Sequence, residues 1–183
     1  MSSVTDFTLI HTCENKGSKA LVKERAPFRA ESKPIPYLGQ GHYFWQEEKN
    51  IGILWGKMHY PKRKFFVCEC VVSIENDNFL DLLRPEHRSY LRQLALRFDA
   101  GKWKLGKLIE TLREADKKEP GIFDFNFIRA RDDSKRDGKN YNEKLTFSEE
   151  KAGYMLTGLG WHIISMNEKV DGSLKSIEIV HEG

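Results

Sequence analysis

The sequence predicts an α+β fold in a single domain spanning residues 1–183. Strand-like segments lie towards both ends of the chain, and two segments with helical periodicity lie between them. The length is that of one ordinary domain and is sufficient for a real hydrophobic core. Hydrophobic residues make up 39% of the chain and charged residues 31%, a balance that is normal for a soluble protein.

Apolar and alternating segments predict the strands, beginning with residues 7–11. The clearest strand is 64–74, where two sets of apolar side chains alternate between opposite faces. Only Glu69 interrupts this pattern, so we expect the strand to be buried on both sides. Further strands are predicted at residues 122–130, 160–166 and 174–181.

Helical spacing of apolar residues predicts the helices. An amphipathic helix is expected at residues 46–56, and a short helix or ordered loop around 20–22. Residues 79–83 are expected to begin a helix that Pro85 interrupts. The central helical block consists of two predicted helices, at residues 86–98 and 103–115.

Composition argues against several other classes of protein. The net charge is +3, which fits many kinds of partner, and no run reaches the length of about 18 apolar residues that a membrane span needs. Residues 1–6 lack a secretory signal pattern, so we expect a cytoplasmic protein without a membrane partner. The six histidines show no metal-ligand spacing, and we expect no metal site. Cys13, Cys68 and Cys70 are interpreted as small buried apolar residues.

The most informative motif is Gly-Gln-Gly-His-Tyr-Phe-Trp at residues 39–45. Its two glycines allow a tight backbone path that side chains would block. The aromatic run after them predicts a short strand in which Tyr43 and Trp45 share one face. His42 and Phe44 would share the other face. Such a segment can present an aromatic ring to a flat heterocycle.

Together with His11-Thr12 about thirty residues upstream, this motif resembles the ADP-ribosyltransferase superfamily of the His-Tyr-Glu class. His11-Thr12 closes a predicted strand, as the His-Gly-(Ser/Thr) element of that class does. The segment 39–44 is similar to the second element of the class, which also leads into a helix. The resemblance covers residues 7–82, and the order of elements is similar to that of many bacterial and phage members.

The resemblance implies an ADP-ribosyltransferase-like fold, with a split mixed β-sheet and a central helical insertion. It also implies that NAD is the co-substrate, that nicotinamide is released and that ADP-ribose is transferred to a protein, a nucleic acid or water. Bacterial and phage members of the family often act as toxins or host-takeover enzymes.

The family's division of labour can be assigned to residues of this sequence. His11 would hydrogen-bond the nicotinamide ribose, and Tyr43 would stack on the nicotinamide ring. The backbone of Thr12 would bind the carboxamide, and Gly41 would belong to the backbone path beside the cofactor. Trp55 would provide a second aromatic wall.

The third position of the class is a glutamate on a late strand, where a carboxylate would stabilise the oxocarbenium-like ribose. On the predicted strand 160–166, His162 falls near this position. Glu143, Glu149 and Glu178 are the other candidates.

Other interpretations remain open. The protein could be a non-catalytic relative that binds NAD or ADP-ribose, with His11, Trp55 and His162 serving structural roles. It could also be a nucleic-acid-binding module that uses the basic region 129–139 within a predicted surface loop at residues 131–142. The cations of that region are Arg129, Arg131, Lys135 and Arg136.

Overall fold

The computed structural model describes residues 3–15, 17–30, 33–46, 48–132 and 161–183. These residues form a mixed sheet of eight strands and four helices, which confirms the predicted α+β class. The strands are β1 (Val4–Glu14), β2 (Arg29–Ala30), β3 (Gly41–Gln46), β4 (Phe65–Glu75), β5 (Phe79–Asp81), β6 (Phe127–Asp132), β7 (Trp161–Met166) and β8 (Leu174–Glu182). The helices are α1 (Lys19–Arg25), α2 (Lys49–His59), α3 (Pro85–Arg97) and α4 (Leu105–Lys118).

The strand order is β5-β6-β7-β3-β1-β4-β8, and only β5 and β6 run parallel to each other. β1 pairs with β4 along all of its 11 residues. With β3 it shares two residue pairs, of which Ile10–Trp45 is the last before the two strands separate. Beyond this point β2 pairs with β3 at His42 and Gly41. The sheet is therefore open between the end of β1 and the middle of β3.

The sheet is strongly curved. The rings of Phe7 on β1 and Phe79 on β5 lie 5.7 Å apart, although three strands separate β1 from β5 in the sheet. In a flat sheet, four strand spacings would hold them about 19 Å apart. The concave face consequently encloses an apolar cluster to which β1, β3, β4, β6 and β7 contribute; it includes Leu9, Phe44, Phe66, Phe127 and Ile164.

The helices α2, α3 and α4 cover the other face of the sheet, whereas Val22 of α1 belongs to the cluster on the concave face. α3 and α4 pack on β5, β6 and β7, while the cluster beside α2 includes Ile10 and Val67 from β1 and β4. The sequence of α4 explains its orientation, because its apolar residues recur at helical spacing and are buried. These residues are Leu105, Leu108, Ile109 and Leu112.

Most predicted elements are confirmed. β4 is buried on both faces over most of its length; Glu69 is exposed as expected, Val71 and Ser73 are half-buried, and the last residue, Glu75, is exposed. Cys13, Cys68 and Cys70 are buried and free of disulfides. Burial raises the pKa of the Cys70 thiol to about 12, so this side chain behaves as a small apolar group. Between β4 and β5, Asn76–Asn78 forms a short 3₁₀ helix.

The prediction of a helix at residues 79–83 is wrong. Phe79–Asp81 is the strand β5, whose three residues are buried and pair with β6. Pro85 does not interrupt a helix but begins α3, where its missing N–H leaves no intrahelical bond unmade. The predicted surface loop also begins too early, because Arg131 belongs to β6; residues 133–142 of that loop lie outside the described part of the chain.

Candidate functional site

A cavity of about 960 Å³ opens beside the line where β1 and β3 separate. Its wall is formed by the end of β1, residues of the segment 17–30 that carries α1 and β2, residues 36 and 37, the middle of β3, the end of α2 with Tyr60, and part of β7. Aromatic rings form much of this wall, including those of Tyr43, Trp45 and Trp55. Trp45 and Trp161 meet edge to face, with their centroids 5.9 Å apart. Such a wall suits a flat heterocyclic ligand.

His11 lies on the cavity wall, but the protein backbone engages both of its ring nitrogens. Nε2 accepts a hydrogen bond from the N–H of Phe28 at 3.1 Å. Nδ1 therefore carries the proton and donates to the carbonyl oxygen of Tyr43 at 2.9 Å. The imidazole thus connects β1 to β3 where their backbone pairing has ended. It can contact a ribose only if one of these bonds breaks.

The charge state of His11 agrees with this arrangement. Burial lowers the pKa of the imidazole to about 4, against the opposing effect of the bond to Tyr43. His42 and Lys169 lower the pKa further through their charges. His11 is consequently neutral at physiological pH, as its two backbone bonds require.

Thr12 anchors α2 to the sheet. Its Oγ1 donates a hydrogen bond to the carbonyl oxygen of Gly52 at 3.0 Å. A Cβ atom at Gly52 would lie 2.6 Å from Cγ2 of Ile10, so only glycine allows the helix to approach this closely. The side chain of Thr12 thereby positions the helix that carries Trp55. A backbone contact of Thr12 with a carboxamide remains a prediction.

Tyr43 presents its ring to the cavity while its hydroxyl fixes the preceding loop. The hydroxyl accepts a hydrogen bond from the N–H of Leu38 at 2.7 Å and donates one to the carbonyl oxygen of Gly39 at 2.6 Å. Burial raises the pKa of Tyr43, so the hydroxyl stays protonated and keeps its donor role. Gly39 has φ +79°, a left-handed conformation that favours glycine in this turn.

Trp55 carries the aromatic wall from the cavity to the protein surface. Its ring is half-buried and stacks on the imidazole of the exposed His59, with centroids 3.9 Å apart and planes 11° apart. Tyr60 meets Trp55 edge to face at 5.7 Å. We call these three side chains the aromatic rim. Trp55 was predicted as a second aromatic wall, and it does line the cavity.

Two predicted site residues are not part of the cavity wall. Gly41 packs against β7, where a Cβ atom would lie 2.7 Å from the carbonyl oxygen of Met166. His162 lies between Trp161 and Ile163, both of which line the cavity, so strand alternation directs it to the opposite face. The geometry therefore gives no support to His162 as the third catalytic residue.

Glu14 is the acidic residue that the described structure places on the cavity wall. Its Oε1 accepts a hydrogen bond from Nη1 of Arg63 at 2.9 Å. Sequence reasoning missed Glu14 because the predicted strand ended at His11, whereas β1 continues and its alternation puts Glu14 on the same side as Thr12. Glu178 is exposed on β8 opposite Glu69, away from the cavity, and Glu143 and Glu149 lie outside the described residues.

Arg129, the first cation of the predicted basic region 129–139, forms a largely buried ion pair with Asp81. Nε and Nη2 of Arg129 bind the two carboxylate oxygens of Asp81 at 2.9 and 2.5 Å. Burial acts to raise the pKa of Asp81, but the hydrogen bonds from Arg129 lower it overall. Arg131 is half-buried in β6, and Lys135 and Arg136 lie outside the described residues.

No protein-family model matches the sequence, and no curated protein or solved structure is significantly similar to the chain. Within the part of the chain that the structure describes, no helix is long and apolar enough to cross a membrane. The same residues contain no group of three or more His, Cys, Asp or Glu side chains that could hold a metal ion.

Proposed function

We propose that the protein binds NAD in this cavity and acts as an ADP-ribosyltransferase, releasing nicotinamide and transferring ADP-ribose to a macromolecule. One observation carries the proposal. Four residues that the resemblance assigns to the NAD site, His11, Thr12, Tyr43 and Trp55, lie on the wall of a single cavity although they come from three separate elements. The volume of about 960 Å³ is within the range of small-molecule sites.

The aromatic rings are the part of the wall that fits NAD best. Tyr43 and Trp55 offer ring faces for the nicotinamide or the adenine, while their positions are fixed by the loop at Gly39 and by the anchored helix α2. Polar recognition differs from the family's pattern, because His11 is engaged with backbone groups. The part of β1 beyond Ile10, which no longer pairs with β3, and the carboxylate of Glu14 are better placed to contact the ribose.

The reaction breaks the bond between the ribose and the nicotinamide nitrogen. The bonding electron pair leaves with nicotinamide, which becomes neutral, and positive charge develops on the ribose. A carboxylate on the wall would stabilise that charge, and Glu14 is the one that the described structure offers. A nucleophile of the acceptor then forms the new bond to the ribose carbon and loses its proton to solvent.

The test uses labelled NAD and follows nicotinamide release and labelling of macromolecules in a cell lysate. A thermal-shift titration with NAD on the same sample measures binding. Trp55→Ala should weaken NAD binding by about tenfold, because it removes a stacking surface. Leu54→Ala is the matched control, since Leu54 precedes Trp55 on α2 but is exposed and does not line the cavity.

Equal NAD affinity of the parent and Trp55→Ala would contradict the proposed site. Binding without nicotinamide release would instead favour the second candidate, a non-catalytic NAD- or ADP-ribose-binding protein. The engagement of both His11 nitrogens favours this second candidate, since the family's usual ribose contact is then missing.

A further inference from the structure

A run of positive charge adjoins the cavity at residues 57–64, which we call the basic segment. It contains Lys57, Lys62, Arg63 and Lys64, together with His59, and no acidic residue. Four formal positive charges in eight residues exceed the net charge of +3 of the whole chain. Half of the residues in this segment are Lys or Arg, against 30 of 183 in the whole chain, so the segment is locally enriched in positive charge.

The basic segment is exposed and continuous with the cavity. Each of its residues is exposed except Tyr60, which is half-buried. Met58, His59 and Tyr60 belong to the cavity wall itself. Arg63 contacts Glu14, whereas Lys57, Lys62 and Lys64 form no ion pair with any residue that the structure describes. These three lysines can consequently bind an external anion without losing an internal partner.

The aromatic rim adjoins the basic segment and lines the cavity, since His59 and Tyr60 belong to both. The exposed imidazole of His59 continues the stack begun by Trp55, and the guanidinium of Arg63 lies 5.6 Å from the centroid of the Tyr60 ring. Cations beside stacking rings are the combination that binds single-stranded nucleic acids, because phosphates contact the cations and bases stack on the rings. An acidic protein would use the cations but would have no particular need of the rings.

On this basis we propose that the macromolecular acceptor is a single-stranded nucleic acid, whose phosphates bind the basic segment while one base enters the cavity past the aromatic rim. This inference rests on the proposed function, because NAD must supply the ADP-ribose. A nitrogen or oxygen of the nucleotide forms the bond to the ribose carbon, nicotinamide leaves with its electron pair, and the nucleotide's proton passes to solvent. In a duplex the base is stacked and paired, so it cannot enter without first being extruded.

The first experiment measures binding of a fluorescent single-stranded DNA, an RNA of the same sequence and the DNA duplex, all without NAD. A basic-segment variant and a control variant each replace three exposed lysines by alanine. The control lysines lie around the ends of α4, away from the cavity wall. The basic-segment variant carries Lys57→Ala, Lys62→Ala and Lys64→Ala, and the control variant carries Lys102→Ala, Lys104→Ala and Lys118→Ala.

The parent and the control variant should bind the single strands more tightly than the duplex. The basic-segment variant should bind about tenfold more weakly. The magnitude of the negative slope of log K against log salt should fall by about 2, because three phosphate contacts are lost at about 0.7 each. Equal affinities and salt slopes for the basic-segment variant and the parent would overturn the inference. A preference for the duplex would do the same.

The second experiment adds labelled NAD and follows both nicotinamide release and label on the oligonucleotide. The inference would be supported if the parent labels the single strand and the basic-segment variant does not. That variant should still release nicotinamide in the absence of an acceptor. Nicotinamide release with label on lysate protein alone would overturn the inference and leave the proposed function standing. If NAD is neither bound nor cleaved in any arm, the proposed function fails, and the acceptor assignment fails with it.

Discussion

The inner and outer parts of the cavity wall use similar side chains in different ways. In the inner part, His11 and the hydroxyl of Tyr43 bind backbone groups and hold β1, β3 and the Gly39 loop together. In the outer part, the aromatic rim remains accessible to a ligand, and the exposed lysines of the neighbouring basic segment lie outside the wall. Polar groups of the inner part thus determine the shape of the site, and the outer part is better suited to recognition.

The strongest challenge to this distinction is to remove the imidazole of His11. His11→Leu leaves the partly buried N–H of Phe28 and the carbonyl of Tyr43 without their partner, which should lower the free energy of unfolding by about 2–4 kcal/mol. Urea denaturation measures the change. His59→Leu, on the accessible rim, should change stability by less than about 0.5 kcal/mol. Comparable losses in both variants would show that the two parts do not differ.

The neutral state of His11 also makes stability depend on pH. Above pH 6.5 the imidazole is neutral in both the folded and the unfolded protein, so it adds no pH dependence. Between pH 6.5 and about 4 only the unfolded chain takes up the proton, and stability falls as the pH falls. The pKa difference corresponds to about 3 kcal/mol over this range.

A His11→Gln variant isolates this contribution, because glutamine does not titrate. Burial lowers the pKa of His42 as well, and this second effect is retained in the variant. The stability curves of the parent and of His11→Gln, measured by urea denaturation at several pH values, should therefore converge as the pH falls from 6.5 to 4. Parallel curves over that range would mean that His11 is not held in its neutral form.

Tyr43 separates the two uses within one side chain. Tyr43→Phe removes the hydroxyl that fixes Leu38 and Gly39 but keeps the ring, so it should cost about 1–2 kcal/mol of stability. NAD affinity of the folded variant should stay within about twofold of the parent. Tyr90→Phe, which removes a single bond to Ile122 away from the cavity, should cost less. A large loss of NAD affinity in folded Tyr43→Phe would assign the hydroxyl to ligand binding.

The sequence could predict which rings share one face of a strand or helix, but not which hydrogen-bond partners the polar groups have. Strand alternation and helical spacing follow from local pattern, so β3, β4 and the faces carrying Tyr43 and Trp55 could be predicted. The engagement of His11 could not, because its partner Phe28 lies 17 residues away and is positioned by tertiary structure. β5 was mistaken for helix since three residues contain too little periodicity to distinguish the two.

Glu14 was overlooked for a related reason, because the sequence did not show that β1 continues as far as this residue. Its substitution gives the prediction with the smallest expected effect on stability. Its ion pair with Arg63 is largely exposed on the arginine side, so Glu14→Gln should change the free energy of unfolding by less than about 0.5 kcal/mol. NAD affinity should also change little, because the neutral amide keeps the shape of the side chain.

Nicotinamide release should nevertheless fall by about 100-fold in Glu14→Gln, because the amide cannot stabilise the positive ribose. Glu178→Gln, which neutralises an exposed carboxylate away from the cavity, is the matched control and should retain the parent rate. Normal release by Glu14→Gln would exclude Glu14 as the stabilising carboxylate while leaving the NAD site itself intact. A loss of both binding and release would instead show that Glu14 positions NAD and does not act on the transition state alone.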